Sequence, residues 1–169
     1  MRRIAIGVAV AAAFAAAGHA QVVRTVTFVT NAYELRVQQF SAGTQANGTR
    51  YVSFGGDAKA LNNKAAADLK ALAFTLLYSV GNDGVVTITD GTFLIQTTNK
   101  DRSPLMIGGD IQPGETLTFA NGSIVSGQRL SLSLVGADSD VTGVMTAVVD
   151  RSSPPRLSGT LSLTYPVVQ

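Results

Sequence analysis

Residues 157–165, Leu-Ser-Gly-Thr-Leu-Ser-Leu-Thr-Tyr, carry Ser or Thr at every second position, with Leu, Gly or Tyr between them. Residues 130–134, Leu-Ser-Leu-Ser-Leu, repeat this alternation. Successive side chains of a β-strand point to opposite faces of its sheet, whereas a helix would scatter the leucines around its circumference. Both segments are therefore predicted to be strands with one buried face and one solvated face that is rich in hydroxyl groups.

The same period of two continues through most of the chain and is interrupted by short clusters of Gly, Asn and Asp. Asn82-Asp83-Gly84 and Asp90-Gly91 are predicted to be hairpin turns, because these residue types tolerate a positive φ. Turn clusters at this spacing are typical of an all-β sandwich or barrel. We predict an antiparallel β-sandwich of the Greek-key or jelly-roll type. Its predicted strands are residues 22–30, 33–40, 51–54, 71–80, 85–89, 92–98, 116–120, 123–126, 129–135, 141–149 and 157–165.

Residues 57–70 are the one segment with a helical pattern. Asp57 is a suitable N-cap, and the segment is rich in Ala and Lys. Its apolar side chains, together with the leucine that follows, would lie near one face of a helix: Ala58, Leu61, Ala65, Leu69 and Leu72. We therefore expect one short helix near residues 57–70 that caps the sandwich.

The first twenty residues have the organisation of a secretory leader. Met1-Arg2-Arg3 is positively charged, residues 4–17 form an apolar run, and Gly18-His19-Ala20 fits a cleavage site. We expect a mature chain of one domain, residues 21–169, that is secreted to the periplasm, the cell surface or the extracellular space. The apolar run is shorter than the roughly 20 residues of a membrane-spanning helix, so no membrane span is expected in the mature chain.

Charge argues against nucleic acid as a partner. The chain has 13 Lys and Arg against 11 Asp and Glu, and loss of Arg2 and Arg3 with the leader would leave 11 of each. A neutral chain in which 14% of residues are charged does not offer the basic face that a phosphate backbone requires. No nucleic-acid binding is expected.

The residue inventory also argues against an enzyme. The chain contains no cysteine and no tryptophan, and its one histidine, His19, lies in the leader. The mature chain would have no Ser-His-Asp or Cys-His nucleophile, no usual zinc site and no disulfide. Glycosidases need only a pair of Asp or Glu side chains, and the closest pairs here are Asp110 with Glu115 and Asp138 with Asp140, but most carboxylates adjoin predicted turns. We predict that the protein is not an enzyme, with a carboxylate glycosidase as the third hypothesis.

Asp138-Ser139-Asp140 is the one metal-binding candidate. Asp138 and Asp140 place oxygen ligands at alternate positions ahead of Gly143, as in the first half of a calcium loop. The twelfth position of such a loop would be Val149, where a bidentate glutamate is expected. A plain hairpin turn is the alternative, and no other cofactor is expected.

The first predicted strand, residues 22–30, carries the leading functional hypothesis. Val22, Val26 and Phe28 fall on one face, and a terminal strand of this kind completes the sheet of a neighbouring subunit in some secreted fibres. We predict a structural or adhesive subunit of a cell-surface or extracellular assembly, with further copies or other surface proteins as partners. In the alternative, this strand pairs within its own sheet. The protein would then be a monomeric domain that binds a glycan or small ligand, with calcium as an optional aid.

Overall fold

The computed structural model describes residues 26–98, 103–112, 116–118, 129–137, 140–150 and 152–168. The described residues form strands, turns and loops, and none of them is helical. The nine strands are β1 (Val26–Thr44), β2 (Arg50–Ala60), β3 (Leu69–Val80), β4 (Val85–Thr98), β5 (Pro104–Ile111), β6 (Thr116–Thr118), β7 (Arg129–Gly136), β8 (Thr142–Val149) and β9 (Arg156–Val168).

Eight of these strands form a closed antiparallel barrel. Neighbours pair in the order β3-β2-β1-β9-β8-β7-β5-β4, and β4 pairs in turn with β3, which closes the ring. The short strand β6 lies outside the ring and pairs with the start of β4. The predicted sandwich is therefore wrong. Alternation shows that one face of a sheet is buried, but a sandwich and a closed barrel bury that face equally well.

The predicted helix at residues 57–70 is also wrong. Its first four residues complete β2, its last two begin β3, and the eight residues between them form a loop. Two side chains of this loop accept hydrogen bonds from backbone N–H groups of β1 and β2. Asn62 Oδ1 accepts from Ala32 N at 2.6 Å, and Asp68 Oδ1 accepts from Ala60 N at 2.9 Å. Strand pairing and these side-chain hydrogen bonds override the helical propensity of the Ala-rich segment.

One of the two predicted hairpin turns lies inside a strand. Asn82-Asp83-Gly84 does connect β3 to β4, and Gly84 has the expected positive φ of 81°. In contrast, Asp90-Gly91 belongs to β4, which continues through it without a break. Leu77 lies opposite Asp90 while Tyr78 lies opposite Ile88, so one extra residue of β4 forms a β-bulge. Asp and Gly are suited to a tight turn and also to a bulge in a curved strand.

The barrel is filled by one apolar cluster. Its outer wall combines polar side chains with exposed large apolar ones, such as Phe28, Phe40 and Leu94. In β9 the predicted alternation is confirmed: Leu157, Leu161 and Leu163 are buried, and the intervening Ser158 and Thr160 are exposed. Within the described part of the chain there is no apolar helix of the length that crossing a membrane would require.

Candidate functional site

The two ends of the barrel carry different inward-facing side chains. The apolar end lies at the turns of residues 45–49 and 81–84 and at the connection of residues 152–155. Near that end Tyr78 of β3 is buried, and the other inward side chains include six buried aliphatic ones: Val37, Val52, Val86, Leu130, Val149 and Leu157. The opposite end, which we name the polar end, lies at the 61–68 loop, the turn that follows β7 and the C-terminal part of β9.

Three polar side chains lie side by side inside the polar end. Asn31 and Tyr33 of β1 and Tyr165 of β9 share the inward face of neighbouring strands, since Val29 is paired with Tyr165 and Asn31 with Leu163. At most 4% of the surface of each of the three is exposed. Asn31 Nδ2 donates to the Tyr165 hydroxyl oxygen at 3.1 Å, and the Tyr33 and Tyr165 hydroxyl oxygens are also 3.1 Å apart. We call these residues the polar trio.

The polar trio leaves one buried acceptor without a donor. Asn31 Oδ1 is inaccessible to solvent and has no hydrogen-bond partner. Turning the amide over would let Oδ1 accept the Tyr165 hydroxyl proton but would leave both N–H groups of Nδ2 buried without an acceptor. A buried polar group in this state costs about 1–3 kcal/mol. Native proteins leave few such groups, so this one calls for an explanation.

The polar trio also has a spare hydroxyl proton. Tyr33 and Tyr165 each carry one O–H, but only one proton can lie between their oxygens. Asn31 Nδ2 is a donor and cannot receive the other. The trio therefore presents an unused acceptor, Asn31 Oδ1, beside an unused tyrosine donor.

Tyr33 is held in its protonated form. Burial raises the pKa of its hydroxyl well above the ordinary value of 10.0, and the hydrogen bond and charge of Tyr165 raise it further. The Asn31 amide lowers this pKa, and the negative charge of Asp68 raises it slightly. Tyr33 is consequently a neutral donor or acceptor at neutral pH rather than a source of charge.

A cavity of about 200 Å³ lies in the wall at the polar end. It lies where β5 extends beyond β7, because the two strands pair only at residues 109–111 of β5. Leu105, Ile107 and Val141 give it an apolar lining, and Asp140 and Pro166 contribute to its wall. Leu105 and Val141 also pack against the barrel core. Pro166 directly follows Tyr165 in β9, so the cavity and the polar trio lie at the same end of the barrel, although none of the trio is among the described residues that line the cavity.

A larger hollow on the outer wall is a weaker candidate. It measures about 440 Å³ and lies between β1 and β9, where Arg36, Gln38, Arg156 and Ser158 provide its polar lining. These four side chains are exposed or half-buried, and none is a buried group that lacks a partner. Solvation accounts for them without a ligand.

The calcium candidates are only partly within the described residues. Asp138 lies outside them, while Asp140 is exposed and lines the cavity at the polar end. The described ranges contain no cluster of three or more Asp, Glu, His or Cys side chains that could hold a metal ion. Of the other carboxylate pair considered for a glycosidase, Asp110 is exposed in β5 and Glu115 lies outside the described residues. Calcium binding stays a prediction.

Two of the three strand-addition candidates are described by the structure, and both lie on the outer wall. Val22 is outside the described residues, whereas Val26 and Phe28 belong to β1 and are 52% and 59% exposed. Residue 28 lies opposite Pro166 of β9, so this part of β1 pairs within its own chain. The structure thus places two of the three predicted interface residues on one exposed apolar face.

Comparison of the chain with known protein families, with curated protein sequences and with solved structures gives no match. The site therefore has to be interpreted from its own geometry.

Sequence reasoning missed the polar trio because Asn31 was placed in a break between two predicted strands. β1 in fact runs through Asn31 without interruption. The alternation of inward and outward residues did contain this information. Val29, Asn31, Tyr33 and Leu35 are successive inward positions, and one of them carries an amide. A single polar residue in an otherwise apolar row marks a buried hydrogen-bonding group.

Proposed function

We propose that the protein is a non-catalytic binding domain that takes a small ligand at the polar end of the barrel. The observation that carries the proposal is the buried, unpartnered Asn31 Oδ1 beside two tyrosine hydroxyls. A ligand that donates to this oxygen would remove the energetic penalty of leaving it unpaired.

The apolar end supports the proposal as an internal comparison. Aliphatic residues such as Val86 and Leu130 close that end, and both are fully buried. An aliphatic residue could also fill the polar end, because position 31 faces inward and is similarly buried. Stability alone therefore does not account for an asparagine at this position. Sites that sacrifice local stability in this way are often functional sites.

The size of the cavity limits the ligand. An apolar cavity of about 150 Å³ holds benzene in another protein, so the 200 Å³ cavity suits a molecule of about ten heavy atoms. Leu105, Ile107 and Val141 would contact the apolar part of such a ligand. Its polar group would have to reach beyond this lining to Asn31, which is not among the lining residues that the structure describes.

A nuclear magnetic resonance titration of the whole chain with benzyl alcohol tests the proposal. We expect saturable shifts at backbone amides of the polar end, such as Ala32 and Val141, and none at the apolar end. Asn31→Leu should abolish them. Asn47→Leu, the same change in an exposed turn of the apolar end, should leave them intact. Equal shifts in wild type and Asn31→Leu, or no saturable shift, would contradict the proposal.

We propose self-assembly through β1 as the second candidate, supported by exposed Val26 and Phe28. β2 pairs with β1 only from Tyr33 onward, so among the described strands residues 26–30 of β1 form a ladder with β9 alone. Asn62 of the 61–68 loop donates to the Thr30 carbonyl oxygen at 3.4 Å, so the edge open to another strand is limited to residues before Thr30. The opposite edge of this segment is where a strand of a second copy would add.

Light scattering on Phe28→Ser distinguishes this second candidate. An assembled wild type that becomes monomeric in Phe28→Ser, and remains assembled in Leu94→Ser, would support it. Leu94 is a matched control because it is 49% exposed on the outer wall of β4. A monomeric wild type would refute self-assembly.

A further inference from the structure

We infer that the ligand of the polar end carries an uncharged group that both donates and accepts a hydrogen bond, a hydroxyl or an amide, on a compact apolar body. This inference rests on the proposed binding function and names the chemical class of the ligand. It follows from the donors and acceptors that the polar trio leaves unused and from the charges around them.

The hydrogen-bond inventory requires both properties in the ligand. Asn31 Oδ1 needs a donor, and the spare tyrosine proton of the Tyr33–Tyr165 pair needs an acceptor. A hydroxyl or an amide supplies one of each. A carboxylate has no proton to give to Oδ1, and an ammonium group has no lone pair for the tyrosine. A hydrocarbon supplies neither.

The charges near the site also disfavour an anion. Asp68 acts on Tyr33 through its negative charge, and Asp140 lines the cavity. No Lys or Arg is among the cavity-lining residues that the structure describes, and none belongs to the polar trio. A buried carboxylate would thus face two negative charges with no cation to compensate. These two carboxylates would attract an ammonium group, but such a group has no lone pair to accept the spare tyrosine proton.

Four benzene derivatives of similar size separate these classes at pH 7: benzamide, benzoate, benzylammonium and toluene. Isothermal titration of the whole chain should show benzamide binding at least about tenfold more tightly than each of the other three, since one satisfied hydrogen bond corresponds to about that factor. In Asn31→Leu the affinity for benzamide should fall to that for toluene. Asn47→Leu should retain the wild-type order.

The possible failures have different meanings. If none of the four compounds binds, the proposed binding function fails, and the ligand class falls with it. If benzoate or benzylammonium binds as tightly as benzamide, the binding function stands and the inferred class is overturned. In the benzoate case, the Asn31 amide would be presenting its N–H groups to the ligand. If toluene matches benzamide and Asn31→Leu changes nothing, the site binds by shape alone and the inferred class is again overturned.

Discussion

The two ends of one barrel solve the same packing problem differently. At the apolar end, Val86 and Leu130 are fully buried. At the polar end, the inward-facing side chains include Asn31 and Thr97, and each is 3% exposed. The described residues contain one buried side-chain atom without a hydrogen-bond partner, and it is at the polar end. The apolar end is therefore filled without any such unpaired atom among the described residues, and the polar end departs from this arrangement.

The largest effect should come from placing an amide at the apolar end. Val86→Asn should lower the free energy of unfolding by about 4 kcal/mol, because it loses the burial of a valine and leaves a polar group unpaired. Urea denaturation measures the change. Thr87→Asn, at the exposed neighbouring position, is the control and should change little. A loss below about 1 kcal/mol for Val86→Asn would show that this end also accommodates polar groups.

Truncation should reveal tighter packing at the apolar end. Leu130→Ala should cost about 3 kcal/mol because it opens a cavity in a closed core. Val141→Ala, which enlarges a hollow that already exists at the polar end, should cost about 1 kcal/mol. Urea denaturation of both variants tests this order. A larger loss for Val141→Ala would reverse the comparison.

Alkaline pH should act on the polar end. Because burial raises the pKa of Tyr33 above 10.0, its contribution is fully present below pH 10 and is lost as the pH rises above it. There the unfolded chain releases the proton and the folded chain keeps it. The free energy of unfolding should fall by about 1.4 kcal/mol per pH unit through this group. The free energy of unfolding of Tyr33→Phe should fall less steeply with pH than that of wild type. Equal slopes would contradict the raised pKa of Tyr33 as the cause.

Much of the fold follows from alternation, and the part that does not has a physical reason. Residues 130–134 and 157–165 form strands with the predicted faces because period two depends on local geometry. Barrel closure also requires the pairing of β1 with β9, which are far apart in the chain, and the alternation of neither strand encodes that pairing. Residues 57–60 show the same limit, since their pairing with β1 overrides a helical composition.

The site was less accessible to sequence reasoning than the fold. Asp140 was singled out for its motif and does line the cavity, although calcium binding is untested. Asn31 was overlooked because an asparagine between two apolar runs is typical of a turn. Its partner Tyr165 lies 134 residues away, and their hydrogen bond exists only because β1 and β9 are neighbours in the barrel.

Removing the amide should make the polar end resemble the apolar end. Asn31→Leu eliminates the unpaired oxygen and should raise the free energy of unfolding by about 1 kcal/mol, despite the loss of its bond to Tyr165. The same variant should lose binding of benzyl alcohol. Urea denaturation measures the gain in the free energy of unfolding, and titration measures the loss of binding. A destabilised Asn31→Leu would indicate that the asparagine has a structural role.

The smallest effect should appear at acid pH, at the connection near the apolar end. The Asp150 carboxylate accepts from the Ser152 hydroxyl and from the backbone N–H groups of Ser152 and Arg156, and these bonds lower its pKa below 3.8. The stability that this carboxylate contributes is present above pH 3.8 and is lost as the pH falls through its lower pKa in the folded state. Asp150→Asn should reduce the acid dependence of Tm slightly. If Tm falls as steeply with acid pH in Asp150→Asn as in wild type, this role of Asp150 is refuted.

The most direct test of the central claim is a crystal structure of the full chain with benzamide. The account predicts the ligand's amide nitrogen within about 3 Å of Asn31 Oδ1 and its carbonyl oxygen at a tyrosine hydroxyl, with its ring toward Leu105 and Val141. An Asn31 amide whose two ends are both bonded to protein atoms or to a fixed water, with benzamide elsewhere or absent, would contradict the claim.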